Sequence, residues 1–164
     1  MAVTHAFFWQ NGVMTDLGTL EGDSNSIAYN INDKAQVVGI SCDVNFNCCP
    51  FLWENDVMTD LNTLIPPNSS LYLTFGAAIN NRGEITGSAC VLSNGACTTE
   101  LPAFLAVPCD DVHASYEGCA DGAIDAPPTT QAIKQRTRVI LPESIRQQLQ
   151  RLRGFGRFAR ASAR

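Results

Sequence analysis

The chain has 164 residues and 45% hydrophobic content, enough to bury a single-domain core, which excludes a wholly disordered or collagen-like polymer. Its formal charge of −5 averages two regions of opposite sign: residues 1–130 carry fifteen acidic and two basic side chains (Lys34, Arg82), and the last 34 carry nine basic and one acidic, Glu143. That split points to an acidic domain followed by a basic tail free to fold back on it, and no run reaches the roughly 18 apolar residues that span a bilayer.

The first element is half of a repeated unit. His5-Ala-Phe-Phe-Trp-Gln-Asn-Gly-Val-Met-Thr-Asp-Leu-Gly-Thr-Leu20 returns 44 residues later as Cys49-Pro-Phe-Leu-Trp-Glu-Asn-Asp-Val-Met-Thr-Asp-Leu-Asn-Thr-Leu64, with ten of sixteen positions identical. In each copy a breaker, Asn11-Gly12 or Asn55-Asp56, parts two short apolar runs and supplies the positive φ of a tight hairpin. The other half is Ala28-Tyr-Asn-Ile-Asn-Asp-Lys-Ala-Gln-Val-Val-Gly39, which returns 48 residues later as Gly76-Ala-Ala-Ile-Asn-Asn-Arg-Gly-Glu-Ile-Thr-Gly87. A degenerate third copy of the first motif follows at Pro102-Ala-Phe-Leu-Ala-Val-Pro108.

In chain order this predicts a half-unit at residues 5–20, then a full unit with strands near 27–32, 35–42, 49–53 and 57–62. Three strands of another unit are expected near 75–80, 84–90 and 102–107. The expected fold class is all-β, with antiparallel four-stranded repeats over 1–108 resembling part of a β-propeller, whose blades have this size. Closed propellers usually need about four blades or more. Open sheet edges are therefore expected, to be covered by the tail, by other repeats of a longer chain or by a homo-oligomer.

All seven cysteines fall between positions 42 and 119. Aligning the two Ile-Asn motifs sets Cys42 over Cys90 and Cys49 over Cys97, each with six intervening residues, so the register predicts disulfides Cys42–Cys49 and Cys90–Cys97. Cys109 and Cys119 bracket a polar loop (109–126) and form the third expected bridge, leaving Cys48 odd. Each of the first two closes a short loop and contributes about 2.5 kcal/mol in the loop-entropy account. A zinc site built on Cys48, Cys49, Cys90 and Cys97 with His5 or His113 is the rival reading, but the close Cys-x-x-Cys spacing of such sites is absent. Disulfides imply an oxidising, extracellular or periplasmic compartment. No signal peptide is visible, and Met1 leads directly into repeat text, so a start inside a longer exported protein is expected.

The motifs His5-Ala-Phe-Phe-Trp9, Met14-Thr-Asp-Leu-Gly-Thr-Leu20 and Ala28-Tyr-Asn-Ile-Asn32 resemble the bacterial extracellular repeats named HAF after their His-Ala-Phe tripeptide. The resemblance spans roughly residues 4–108. It weakens where Cys49-Pro50 and Pro102-Ala103 replace His-Ala and where Ala35 stands at the usual glycine. It implies an extracellular setting and propeller-like packing, and no settled activity. Because later copies lose the histidine, His5 is not expected to be a ligand shared by all units.

No catalytic residues and no cofactor-binding or metal residues are predicted. His5 and His113 lack a visible nucleophile and orienting group; His113 is expected in a solvated disulfide loop. Asp16 and Asp60 share one repeat position and are read as turn-bonding residues. Asp110, Asp111, Glu117 and Asp121 gather oxygen ligands for a weak calcium site at most, without the EF-hand spacing. Trp9, Trp53, Phe7, Phe51 and Phe104 suit either a carbohydrate-binding face or the packing between repeats. After a linker at 127–140, Pro142-Glu-Ser-Ile-Arg-Gln-Gln-Leu-Gln-Arg-Leu-Arg-Gly154 carries the start and stop signals of a helix, with Ile145, Leu149 and Leu152 on one face. That basic helix either touches an anionic surface or packs on the acidic domain, and the rest of 141–164 is expected to be disordered. No specific nucleic-acid partner is indicated.

The expected function is an extracellular β-repeat module, structural or ligand- and surface-binding. The alternative is part of a propeller hydrolase or lyase whose catalytic residues lie outside this chain.

Overall fold

The computed structural model describes residues 3–66, 68–110, 113, 119 and 138–152. The protein is all-β, with one short helix among the described residues. Strands β1 (Ala6–Gln10) and β2 (Val13–Gly18) form a two-stranded first sheet. Strands β3 (Asn25–Ile31), β4 (Val37–Cys42), β5 (Cys48–Glu54) and β6 (Val57–Asp60) form a second sheet in that order, every pair antiparallel. The third sheet holds β7 (Leu71–Ile79) and β8 (Ile85–Ser93), with β9 (Ala96–Cys97) and β10 (Ala103–Ala106) both paired to β8.

The repeated sequence folds into repeated pairing. Phe7 stands opposite Asp16 and Trp9 opposite Met14; 44 residues on, Phe51 stands opposite Asp60 and Trp53 opposite Met58. The hairpin turns Asn11-Gly12 and Asn55-Asp56 take positive φ at both central residues, the conformation whose twist matches the strands they join. In the other motif a bulge between Ala28 and Asn30 recurs between Gly76 and Ala78, at the 48-residue offset. The glycines that end it have one job. A β-carbon on Gly39 would lie 2.0 Å from the Ile27 carbonyl oxygen and 2.9 Å from the Phe51 ring; on Gly87 the same atoms belong to Phe75 (1.9 Å) and Phe104 (2.6 Å).

The second and third sheets are tied by their Ile-Asn turns. The Asn32 side-chain oxygen accepts from the backbone N–H of Lys34 and Gln36, and the Asn80 oxygen does the same for Arg82 and Glu84. The two turns stack: Asn32 Nδ2 donates to the Asn80 carbonyl at 2.9 Å, and Asn81 Oδ1 accepts from the N–H of Asp33 at 3.0 Å. These bonds from each turn to the other fix the register of one sheet on the next.

Apolar clusters fill both faces of the second sheet. Val37, Phe51 and Trp53 pack with Ala6 and Leu17 of the first sheet, while Val38 packs with Leu73, Ile79, Ile85 and Ala89 of the third. A further cluster joins Ile40, Tyr72 and five cysteines to helix α1 (Glu143–Leu152), which inserts Ile145 and Leu149 behind the buried Leu141. The expected basic helix is present and is folded on the acidic body. Of the expected linker at 127–140, residues 127–137 lie outside the described residues, as does the chain beyond Leu152, while Arg138 and Val139 pack against the body.

Candidate functional site

The disulfide seam departs from the sequence expectation at one position. Cys42 bonds Cys48, not Cys49, and Cys49 is free and buried. Side chains alternate faces along a strand, so only residues that share a face across a pair are bridgeable. Cys42 pairs directly with Cys48 across β4 and β5, and Cys49, opposite Ser41, points the other way. Counting along the repeat missed this because the two hairpins differ. Residues 43–47 form a wide loop, while Asn94-Gly95 turns tightly and sets Cys97 opposite Leu92, diagonal to Cys90. The bridges Cys90–Cys97 and Cys109–Cys119 are present.

Cys49 lies in a polar knot inside the core. Its Sγ is 3.0 Å from the Tyr72 hydroxyl and 3.8 Å from the Arg138 guanidinium. Burial, helped by the charge of Asp60, pushes its thiol up to about 11, and burial likewise raises the Tyr72 hydroxyl. A thiol so held is protonated at neutral pH and a poor nucleophile. Arg138 reaches this knot from the tail to pair through Nη1 with Asp23, whose side chain is fully buried, and the same nitrogen lies 3.9 Å from Asp43 Oδ2.

His113, expected in solvent, is buried. Its Nδ1 lies 2.5 Å from Asp110 Oδ1 and its Nε2 3.4 Å from Glu84 Oε1. Glu84 also accepts from Arg82 at 2.7 Å and from Asn80, and these donors, Arg82 first, hold its carboxyl below the usual range. With a carboxylate at each ring nitrogen, the imidazole has no nitrogen left to activate a nucleophile, so the cluster ties Asp110 and His113 to the Asn80 turn. Only the order Asp110-x-x-His113 carried a trace of this in sequence; Glu84 comes from the turn between β7 and β8.

The other candidates resolve as structural groups. Asp16 accepts from the N–H of Gly18 and Asp60 from that of Asn62, both at 2.8 Å, so the shared aspartate closes the same turn twice. His5 bonds Asp16 at 2.9 Å, which holds that carboxyl low. Three sulfurs of the rival zinc reading are spent in disulfides, and among the described residues no group of three His, Cys, Asp or Glu side chains is arranged to hold a metal. Of the calcium candidates Asp111, Glu117 and Asp121 lie outside the described residues, and Asp110 is engaged by His113.

The aromatic face divides by position. Phe51 and Trp53 are buried, at 0% and 7% exposure, whereas their counterparts Phe7 and Trp9 are 57% and 63% exposed on β1. Between α1 and the third sheet the crevice lined by Thr74, Ser88 and Leu149 is about 10 Å³, too small for more than a water. No family model, curated protein or solved structure matches the chain. Three disulfides mark an oxidising environment, and among the described residues no helix is long and apolar enough to cross a membrane.

Proposed function

We propose that this chain is an exported β-repeat module, similar to HAF-type repeats and to part of a propeller, that works through its surfaces as a structural or ligand-binding element. The observation that carries the reading is the placement of the cysteines: six of seven are bridged, two bridges clamp hairpins of successive repeats, and all lie in the acidic body. Cross-links of this density are retained where thiols are oxidised. The chemistry-bearing side chains of the repeat support the same reading, since Asp16, Asp60, Asn32 and Asn80 are consumed in turns and in the seam between sheets. The helix does not favour membrane docking, because Ile145 and Leu149, its apolar face, are buried in the core.

Alkylation followed by intact mass tests the export reading. Protein recovered from its native host is expected to gain no label when folded, one label at Cys49 when unfolded without reductant, and seven after reduction. Because the Cys49 thiol is held near 11, raising the pH of the folded protein to about 9 leaves it unlabelled. Seven labels without reductant would remove the basis for an extracellular role.

A further inference from the structure

Among the described residues two sheets are incomplete, and they are complementary halves of one. The first sheet consists of the third and fourth strands of the repeat, β1 and β2, and among the described residues no strand pairs with the outer edge of β1. The third sheet has the first and second strands, β7 and β8, in full; its third is broken into β9 and β10, and no fourth is described.

The complete second sheet shows how such halves join. There β5 lies on β4 with Phe51 opposite Gly39 and Trp53 opposite Val37. Strand β8 offers the same surface, with Gly87 at the place of Gly39 and Ile85 at the place of Val37. Its occupant, β10, sets Phe104 opposite Gly87 but only Ala106 opposite Ile85, so the tryptophan is missing. Strand β10 is also four residues long against seven for β5, and it leaves Leu105 61% exposed.

We propose that the protein assembles head to tail with a second copy of itself, the β1–β2 hairpin of one molecule docking on β8 of the next in place of β10. The completed sheet runs β7, β8, β1, β2. Phe7 then covers Gly87 and Trp9 stands beside Ile85, reproducing the register of the second sheet. The face is right as well as the edge. Phe8 rests against Trp53 at a ring separation of 6.0 Å, and Leu52 occupies the repeat position of Phe8, in the cluster that now receives Phe104 and Ala106. A docked Trp9 meets Leu52 as Trp53 meets Phe8.

Backbone hydrogen bonds lost by β10 are regained by β1 and Phe7 takes the place of the displaced Phe104, so the driving force is the burial of Trp9 where Ala106 stood together with the added fourth strand. The contact joins unlike surfaces, so it propagates into a ring or a filament and does not stop at a symmetric pair. This partner deepens the reading of the chain as a module acting through its surfaces; its failure leaves the alkylation pattern, and hence the export reading, untouched.

Two variants each block one side. Phe7→Ala with Trp9→Ala strips the docking edge at exposed positions. Thr86→Cys with Leu105→Cys, opposite each other across β8 and β10, staples β10 in place without disturbing Gly87. Sedimentation velocity of the wild-type chain is expected to show a mass that climbs above the monomer with concentration, while each variant alone stays monomeric and folded by circular dichroism. Mixing the two variants restores one compatible pair of surfaces, giving a 1:1 dimer that grows no further and in which Trp9 emission moves to shorter wavelength. A stapled chain that associates like wild type overturns the proposal, since β1 edges then pair with each other, and so does a wild-type chain that stays monomeric at every concentration.

Discussion

Ala35 holds φ at 58°, in the left-handed region, where Gly83 of the next repeat holds 85°. Both follow an Ile-Asn turn whose asparagine captures the same two backbone N–H groups, so the turn imposes the conformation and the side chain bears the cost. Ala35→Gly is therefore expected to stabilise the fold by about 0.5–1 kcal/mol after the larger unfolded-state entropy of glycine is subtracted, read as a higher urea midpoint at constant slope. No change or a loss would mean that the turn relaxes in solution. At this scale the text was legible where a position repeats, as with Asp16 and Asp60. It was misleading at Cys49, because the face a side chain takes depends on loop geometry that a residue count does not contain.

Among the elements, the four-strand unit was readable because turn chemistry and period-two apolar runs agree. Strand β7 begins at Leu71, earlier than expected, since Leu71–Thr74 has no counterpart in repeated text and is strand only because β8 extends beside it. The third strand of the last sheet divides into β9 and β10, separated by residues 98–102 that still touch β8 through bonds such as Ala89 N–H to the Pro102 carbonyl at 2.9 Å. What holds these hairpins at their spacing is the absence of a side chain at Gly39 and Gly87. Adding one methyl group at either drives it into a backbone carbonyl that no rotamer change moves, so Gly39→Ala and Gly87→Ala are each expected to cost about 2–3 kcal/mol in chemical denaturation. Losses below about 0.5 kcal/mol at one site but not the other would break the equivalence of the two units.

At the scale of the whole molecule, the opposite charges of body and tail meet at Arg138. Arg138 crosses to the fully buried Asp23, and the following residues drop Leu141, Ile145 and Leu149 into the cluster around the cysteines, with Asn47 Oδ1 accepting from the Leu141 N–H at 3.1 Å. Removing the guanidinium strands a carboxylate away from water, which costs more than the pair itself contributes. Arg138→Met is expected to destabilise the protein by about 3 kcal/mol, and Asp23→Asn in the same chain to return part of that loss, with little dependence on salt because the Asp23 carboxylate is shielded from solvent. A loss under about 1 kcal/mol would place the tail outside the folded core.

By itself the sequence determined the class of structure: a unit written twice carries its own turns, strand periods and close-approach glycines, all of them local properties. Tertiary structure alone decided which cysteine faces which, that His113 lies between carboxylates from the β7–β8 turn and from the chain after β10, and that a tail of opposite charge supplies part of the core. Each of these depends on atoms far apart in the chain meeting on one side of a sheet, and that meeting is set by the packing of whole elements and not by the spacing of residues within one.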